Sequence, residues 1–249
     1  MKRFEGKIVV VTGGSSGIGR ATAMQFGEEG ASVVIGDIDE KRGNEIVQEI
    51  KRSGASAIFI KTNVSIASDV ENLMYQTVRT FGKLDCAVNN AGILGPLAGI
   101  SEQTEKDFDS TVGVDLKGVW LSMKYEILAM RRQLQSAIVN VSSINGISSA
   151  AAAPIYSAAK HGIIGLTKCA ALEYGASGIR INAICPGAVH TEMLQQSYGP
   201  NLTNLVMQIP IKRIAQLNEI AQAILWLCSD AASYLSGHAL VCDGGVLAQ

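Results

Sequence analysis

The chain has 249 residues, 47% of them hydrophobic and 17% charged, which is ample apolar material for a core and too little charge for a disordered chain. With 21 basic and 22 acidic residues the net charge is −1, and no lysine or arginine run gathers, so charge favours neither nucleic acid nor an anionic membrane as a partner. No uncharged apolar window of about 18 residues occurs, the apolar run after the basic start is too short for a leader, and the five cysteines are scattered without a CxxC pair. A cytoplasmic chain with no membrane span and free, core-packed thiols is expected.

In chain order, β-branched runs alternate with stretches of helical period. KIVVVT (7–12) reads as a strand, followed by a helix over 17–29. SVVIGD (32–37), a helix over 40–53, SAIFIK (56–61), a helix over 67–81 and LDCAVNN (84–90) come next. The second half reads as a long helix over 104–133, SAIVNVSS (136–143), a helix over 154–176, IRINAIC (179–185), a helix over 216–229 and HALVCD (238–243). Nearly continuous apolar runs mark strands buried on both faces. Their alternation with helices predicts an α/β fold: a doubly wound, seven-stranded parallel sheet flanked by helices. No linker, repeat or low-complexity stretch divides the chain, so one domain over 1–249 is expected. The segment 187–215 interrupts the alternation and is too long for a simple loop. Its Met193, Leu194, Tyr198, Leu202, Leu205, Val206 and Met207 suit a short apolar lid helix over a pocket.

Gly13, Gly14, Gly17 and Gly19 lie where the first strand gives way to the first helix. Glycine permits the sharp turn and lets a phosphate approach the backbone, and the helix start offers free N–H groups and positive dipole. The spacing is G-x-x-x-G-x-G, which departs from the general G-x-G-x-x-G pattern. Asp37 ends the second strand about 20 residues further on, where an acid binds both ribose hydroxyls and repels a 2′-phosphate. No arginine or lysine lies among SSGI (15–18) or directly after Asp37 to receive such a phosphate, which favours NAD over NADP.

TGGSSGIG (12–19), NNAG (89–92), SS (142–143), YSAAK (156–160) and PGAVHT (186–191) follow in order along the whole chain. Together they resemble the short-chain dehydrogenase/reductase family. The resemblance implies a Rossmann fold and a catalytic set of Ser143, Tyr156 and Lys160. Tyr156 and Lys160, four apart, share one helix face. An ammonium there favours the phenolate of a tyrosine that otherwise holds its proton to a pH near about 10. Ser143 suits a hydrogen bond to the substrate oxygen. For the cofactor the resemblance implies Gly13, Ser15, Ser16, Gly17, Ile18 and Gly19 around the phosphates, with Asp37 and Ile38 at the ribose. It places Asn63 and Val64 at adenine, Asn90 and Gly92 beneath the adenosine ribose, and Tyr156 and Lys160 at the nicotinamide ribose. Val189 and Thr191 would hold the nicotinamide amide. Many relatives have Asp-Val where this chain has Asn63-Val64; an amide still supplies an acceptor and donors.

One position departs further. Asp115 stands where a fourth catalytic residue, asparagine, is usual in the family. A carboxylate there would hold Lys160 protonated and weaken its pull on Tyr156. Activity is expected to survive, with a shifted pH optimum.

The pocket candidates are Ser143, Ile144, Asn145, Ala150, Ala153, Pro186, Met193 and Leu194. They are small or apolar and suit an uncharged alicyclic or hydrophobic secondary alcohol. The expected function is thus NAD-dependent interconversion of such an alcohol and its ketone. Asp37 argues against a 3-oxoacyl carrier-protein reductase, an activity that usually uses NADPH. The complete Ser143–Tyr156–Lys160 set argues against a non-catalytic NAD-binding sensor. His161, His190 and His238 are isolated, so no metal site is expected. The helix over 154–176 is apolar nearly all round, which in this family implies a subunit interface and a homotetramer, with Trp226, Leu240 and Val241 available for a second contact.

Overall fold

The computed structural model describes every residue except Met1, Arg132, Leu134, Pro200, Asn201 and Gln249. Among the described residues the strands are β1 (Ile8–Thr12), β2 (Ser32–Asp37), β3 (Ala57–Lys61), β4 (Cys86–Asn89), β5 (Ser136–Val141), β6 (Ile179–Pro186) and β7 (Ala239–Cys242). They fall on the seven apolar runs and form one parallel sheet in the order β3-β2-β1-β4-β5-β6-β7. This is the doubly wound, Rossmann-type arrangement expected. The order reverses between β1 and β4, which opens a crevice at the carboxyl ends of the strands.

Alternate side chains feed two apolar layers. Val9 and Val11 of β1, Val33 and Ile35 of β2 and Val139 of β5 pack with Phe26, Ile46, Ile50 and Ile224 on one face. Val10, Val34, Ala87 and Ile138 pack with Leu73, Met123, Ile127 and Ile163 on the other. The first layer is covered by α1 (Gly17–Glu28), α2 (Glu40–Arg52) and α9 (Leu217–Cys228), the second by α3 (Ala67–Phe81), α5 (Gly118–Met130) and α6 (Pro154–Tyr174). Burial of each central strand on both faces explains why its sequence lacks polar alternation.

Three expectations are refined. The long helix over 104–133 is not continuous: α4 (Glu105–Val112) passes through a π-turn at Gly113–Lys117 before α5 begins. Glycines at positions 113 and 118 flank the wide turn, and it carries the fully buried Asp115. The segment 187–215 forms two short helices rather than one, α7 (Glu192–Tyr198) and α8 (Leu202–Gln208); Pro200 and Asn201 of the expected lid lie outside the described residues. Finally, α6 is not covered all round. Ala158, His161, Gly165, Cys169 and Leu172 form an open stripe, with Leu172 88% exposed. Among the described residues, no helix is long and apolar enough to cross a membrane.

Candidate active site

A cavity of about 860 Å³ opens in the crevice and is lined from Asp37 to the α7 residues Glu192–Leu194. Its first end is built on the β1–α1 turn. Gly13 has φ +62°, and a side chain there would press within 2.7 Å of the Ala91 Cα. A Cβ on Gly19 would lie 2.1 Å from the Gly13 carbonyl oxygen. Both positions therefore require glycine. Ser16 caps α1 without a side-chain bond, and no acid lies in the first turn, so the helix start is left open to an anion. Asn90 ties this turn to β4: its Nδ2 donates to Thr12 O at 3.1 Å and to Gly13 O at 2.9 Å. The Asp37 carboxylate accepts from the N–H of Ser15 and of Asp39, each at 3.0 Å, which fixes it at the cavity wall. These features fit a dinucleotide: a tight glycine cradle, an open helix start and an oriented acid.

Asn63, which lines the cavity, has its Oδ1 engaged by the Ser65 N–H and hydroxyl at 3.1 and 2.8 Å. Arg42, at the start of α2, is not free for a phosphate. Its Nη1 donates to both Glu192 oxygens at 3.1 Å, and its Nε lies 3.6 Å from Asp39. The Glu192 contact joins α2 to α7.

The second end gathers Ser143, Tyr156, Lys160 and Asp115. Ser142 and Ser143 differ in role. The Ser142 hydroxyl is buried and donates to Lys160 O at 2.9 Å, whereas Ser143 Oγ only accepts, from the Asn145 N–H at 3.1 Å, and keeps its own hydrogen. Lys160 Nζ lies 5.3 Å from the Tyr156 ring centre. It donates to Val141 O at 3.2 Å and pairs with Asp115 Oδ2 at 3.2 Å. The other Asp115 oxygen accepts from the Ile93 N–H at 2.8 Å. Burial opposes the Lys160 ammonium, yet the Asp115 carboxylate, aided by Tyr156, outweighs it and holds the lysine above its ordinary pKa. Burial also pushes Asp115 above the usual carboxylate range, against the pull of Lys160 and the Ile93 N–H. The two titrate as one ion pair. Cys185, beside this group, is held by burial at about 11 and stays a neutral thiol.

Almost every residue singled out in the sequence lines this one cavity: Gly13, Ser16, Gly17, Ile18, Asp37, Ile38, Asn63, Val64, Asn90 and Gly92 toward one end; Asp115, Ser143, Ile144, Asn145, Ala150, Ala153, Tyr156, Lys160, Pro186, Val189, Thr191, Met193 and Leu194 toward the other. Ser15 and Gly19 do not line it; they sit behind the turn, as a bond to Asp37 and as a gap beneath Gly13. Sequence reasoning missed Ile93, Leu94 and Leu97, which form a wall directly after NNAG, and Glu192. The apolar, irregular ILGPL (93–97) was the available signal for that wall.

Comparison with known proteins agrees with this geometry. The family model described as Enoyl-(Acyl carrier protein) reductase matches residues 13–247. A 2,5-dichloro-2,5-cyclohexadiene-1,4-diol dehydrogenase of Sphingobium indicum is 40% identical and covers 100% of both chains. A cyclohexanol dehydrogenase of Acinetobacter sp. is 38% identical over 97% of this chain and 95% of its own. The crystal structure of levodione reductase superposes with a TM-score of 0.97 at 35% identity, covering 99% of each chain. The family implies an oxidoreductase with a nicotinamide cofactor. A glycine cradle, an acid-ended second strand and a serine–tyrosine–lysine group in one crevice are thus the marks of lineage, and the chain belongs to the short-chain dehydrogenases/reductases.

Proposed function

We propose that this chain is an NAD-dependent dehydrogenase that interconverts a cyclic secondary alcohol and its ketone, with Tyr156 as acid and base. The observation that carries the reading is the meeting of Ser143, Tyr156 and Lys160 with the glycine turn and Asp37 in one cavity. NAD, when bound, supplies the hydride acceptor. Ser143 presents a free hydroxyl hydrogen to the substrate oxygen. Tyr156 takes the alcohol proton as the carbon–hydrogen bond yields its hydride, and returns it in the reverse direction. Lys160 places a positive charge beside the ring where negative charge develops. Val141 O accepts one ammonium hydrogen and the Asp115 carboxylate lies 3.2 Å away, which together anchor Lys160 Nζ beside the ring.

NAD is favoured over NADP because the Asp37 carboxylate repels a 2′-phosphate and Arg42 is engaged by Glu192. A cyclic, uncharged substrate is supported by the named relatives and by walls of Ile93, Leu97, Ile144, Ala153, Met193 and Leu194. The 187–215 segment acts as its lid within one domain. The open apolar stripe of α6 with exposed Trp120 and Leu128 on α5 supports a homotetramer, and five free cysteines suit the cytoplasm.

The test is reduced-nicotinamide absorbance with a panel of cyclic alcohols and diols, NAD and NADP in parallel. Turnover with NAD is expected, and loss of turnover with retained NAD binding in Tyr156→Phe. Unaltered turnover in that variant overturns the catalytic assignment.

A further inference from the structure

Beneath the site lies a buried polar chain that the reaction does not use. Glu126 on α5 is fully buried. Asn89 Nδ2, at the end of β4, donates to Glu126 Oε2 at 3.0 Å and to Asn140 Oδ1 of β5 at 2.9 Å. Asn140 Nδ2 donates to Thr167 Oγ1 of α6 at 2.9 Å, and that hydroxyl donates to Ile163 O at 2.8 Å. Two oxygens of this network of four side chains are buried and have no hydrogen-bond partner: Glu126 Oε1 and Asn89 Oδ1. Both are acceptors when the acid is ionised, and orphaned buried acceptors are costly. They belong to the same two side chains that already share one bond. A proton on Glu126 Oε1 turns one orphaned acceptor into a donor, and the unfilled acceptor Asn89 Oδ1 belongs to the side chain already bonded to this acid.

We propose that Glu126 is held as a neutral acid paired with the Asn89 amide, and that this pair is a positioning element locking β4, β5 and α6 beneath the reacting groups. The consequence for the site follows from chain neighbours. Asn89 precedes Asn90, which holds the glycine turn. Asn140 precedes Val141, whose carbonyl accepts from Lys160. Thr167 lies two helical turns beyond Lys160 on α6. The surroundings agree with a neutral acid: burial pushes the Glu126 carboxyl up to about 8, against the single opposing Asn89 bond. The charged and titratable groups of the packed elements are engaged or turned away. Lys160 pairs with Asp115, His161 bonds Ser157 O, Cys86 bonds Cys228 O, and Lys124 lies over the Trp120 and Tyr125 rings. On α3, Asp69 accepts from the Asn63 N–H while Glu71, Tyr75 and Arg79 are outward; on α6, Lys168, Cys169 and Glu173 are exposed.

The experiment compares the full-length protein with Glu126→Gln and Glu126→Leu. The infrared difference spectrum of wild type against Glu126→Gln at neutral pH should show the carbonyl band of a protonated carboxyl; carboxylate bands in its place overturn the proposal. Glutamine reproduces the acceptor and donor of the neutral acid, so Glu126→Gln should keep kcat within about twofold. Glu126→Leu should lose ten- to hundredfold in kcat, the scale of a small misplacement of reacting groups, with NAD affinity nearly unchanged. Unchanged kcat in the leucine variant overturns the positioning role. Should that variant not fold, the pH course of thermal unfolding decides. The unfolded acid loses its proton near 4.5 and the folded one near 8, so the proton's contribution is full below the first value and gone as pH rises through the second. Wild type should therefore lose stability across that window relative to Glu126→Gln, and parallel curves overturn the proposal without bearing on the alcohol dehydrogenase reading.

Discussion

Asp115→Leu leaves the Lys160 ammonium as a lone charge in the interior, because the two side chains are 0% and 5% exposed and 3.2 Å apart. At an effective dielectric of about 20 their attraction is roughly 5 kcal/mol, which desolvation of both partners offsets in large part. Removing one partner alone keeps the burial of the other and is expected to cost about 3–5 kcal/mol. Lys160→Met should cost a similar amount, since it strands the carboxylate. The double variant strands neither, so its loss should fall short of the sum by about 2–3 kcal/mol. The assay is denaturant unfolding of the four proteins at one pH and one protein concentration, since assembly shifts apparent stability. Losses that add to within about 0.5 kcal/mol would refute the ion pair as a stabilising unit. Asp115→Asn asks the electrostatic question separately. It keeps an acceptor for the Ile93 N–H and removes a negative charge from beside Lys160, the cation next to the tyrosine ring. Alcohol oxidation should then reach half its maximum about one pH unit lower. An unchanged pH profile would remove the idea that this carboxylate tempers Lys160.

Gly19→Ala drives a methyl into the Gly13 carbonyl and should abolish NAD binding, measured by fluorescence titration. Asp37→Ser should raise kcat/KM with NADP by about ten- to hundredfold through loss of one repelling charge; an unchanged NAD-to-NADP ratio would show that selection lies elsewhere. Glu192→Gln leaves Arg42 paired with Asp39 alone and unties α7 from α2, so NADH release should quicken a few-fold at low salt and match wild type at about 1 M salt. Stopped-flow displacement reads this, and a difference that persists in salt would exclude an exposed ion pair as the cause.

Much of this molecule was legible because its signals are local. Seven apolar runs located the strands, since burial of the five central ones on both faces leaves no polar alternation. Gly13 and Gly17 turn the chain at positive φ, Gly19 would meet the Gly13 carbonyl six residues back, and Tyr156 and Lys160 share a helix face by their spacing. What escaped reading depends on partners far apart in the chain. The substitution at Asp115 was visible, but its direct bond to Lys160, 45 residues on, is a product of packing. Arg42 and Glu192 lie 150 residues apart. Glu126 looks like one more charged helix residue among GVWLSMKYEILAM, and only the sheet brings Asn89 and Asn140 against it. The break at Gly113–Lys117 carries no propensity signal strong enough to separate it from an unbroken helix.

That π-turn also sets how tolerant the segment is to length change. Each helical residue turns the chain by about 100°. A π-turn holds one residue more per turn than an α-helix, so deleting one residue within 113–117 would restore a plain α-helix with α4 and α5 close to their present faces. What such a deletion displaces is the turn itself, and with it Asp115, which would lose its place opposite Lys160. The segment should therefore keep its packing through the loss of one residue while losing the buried ion pair.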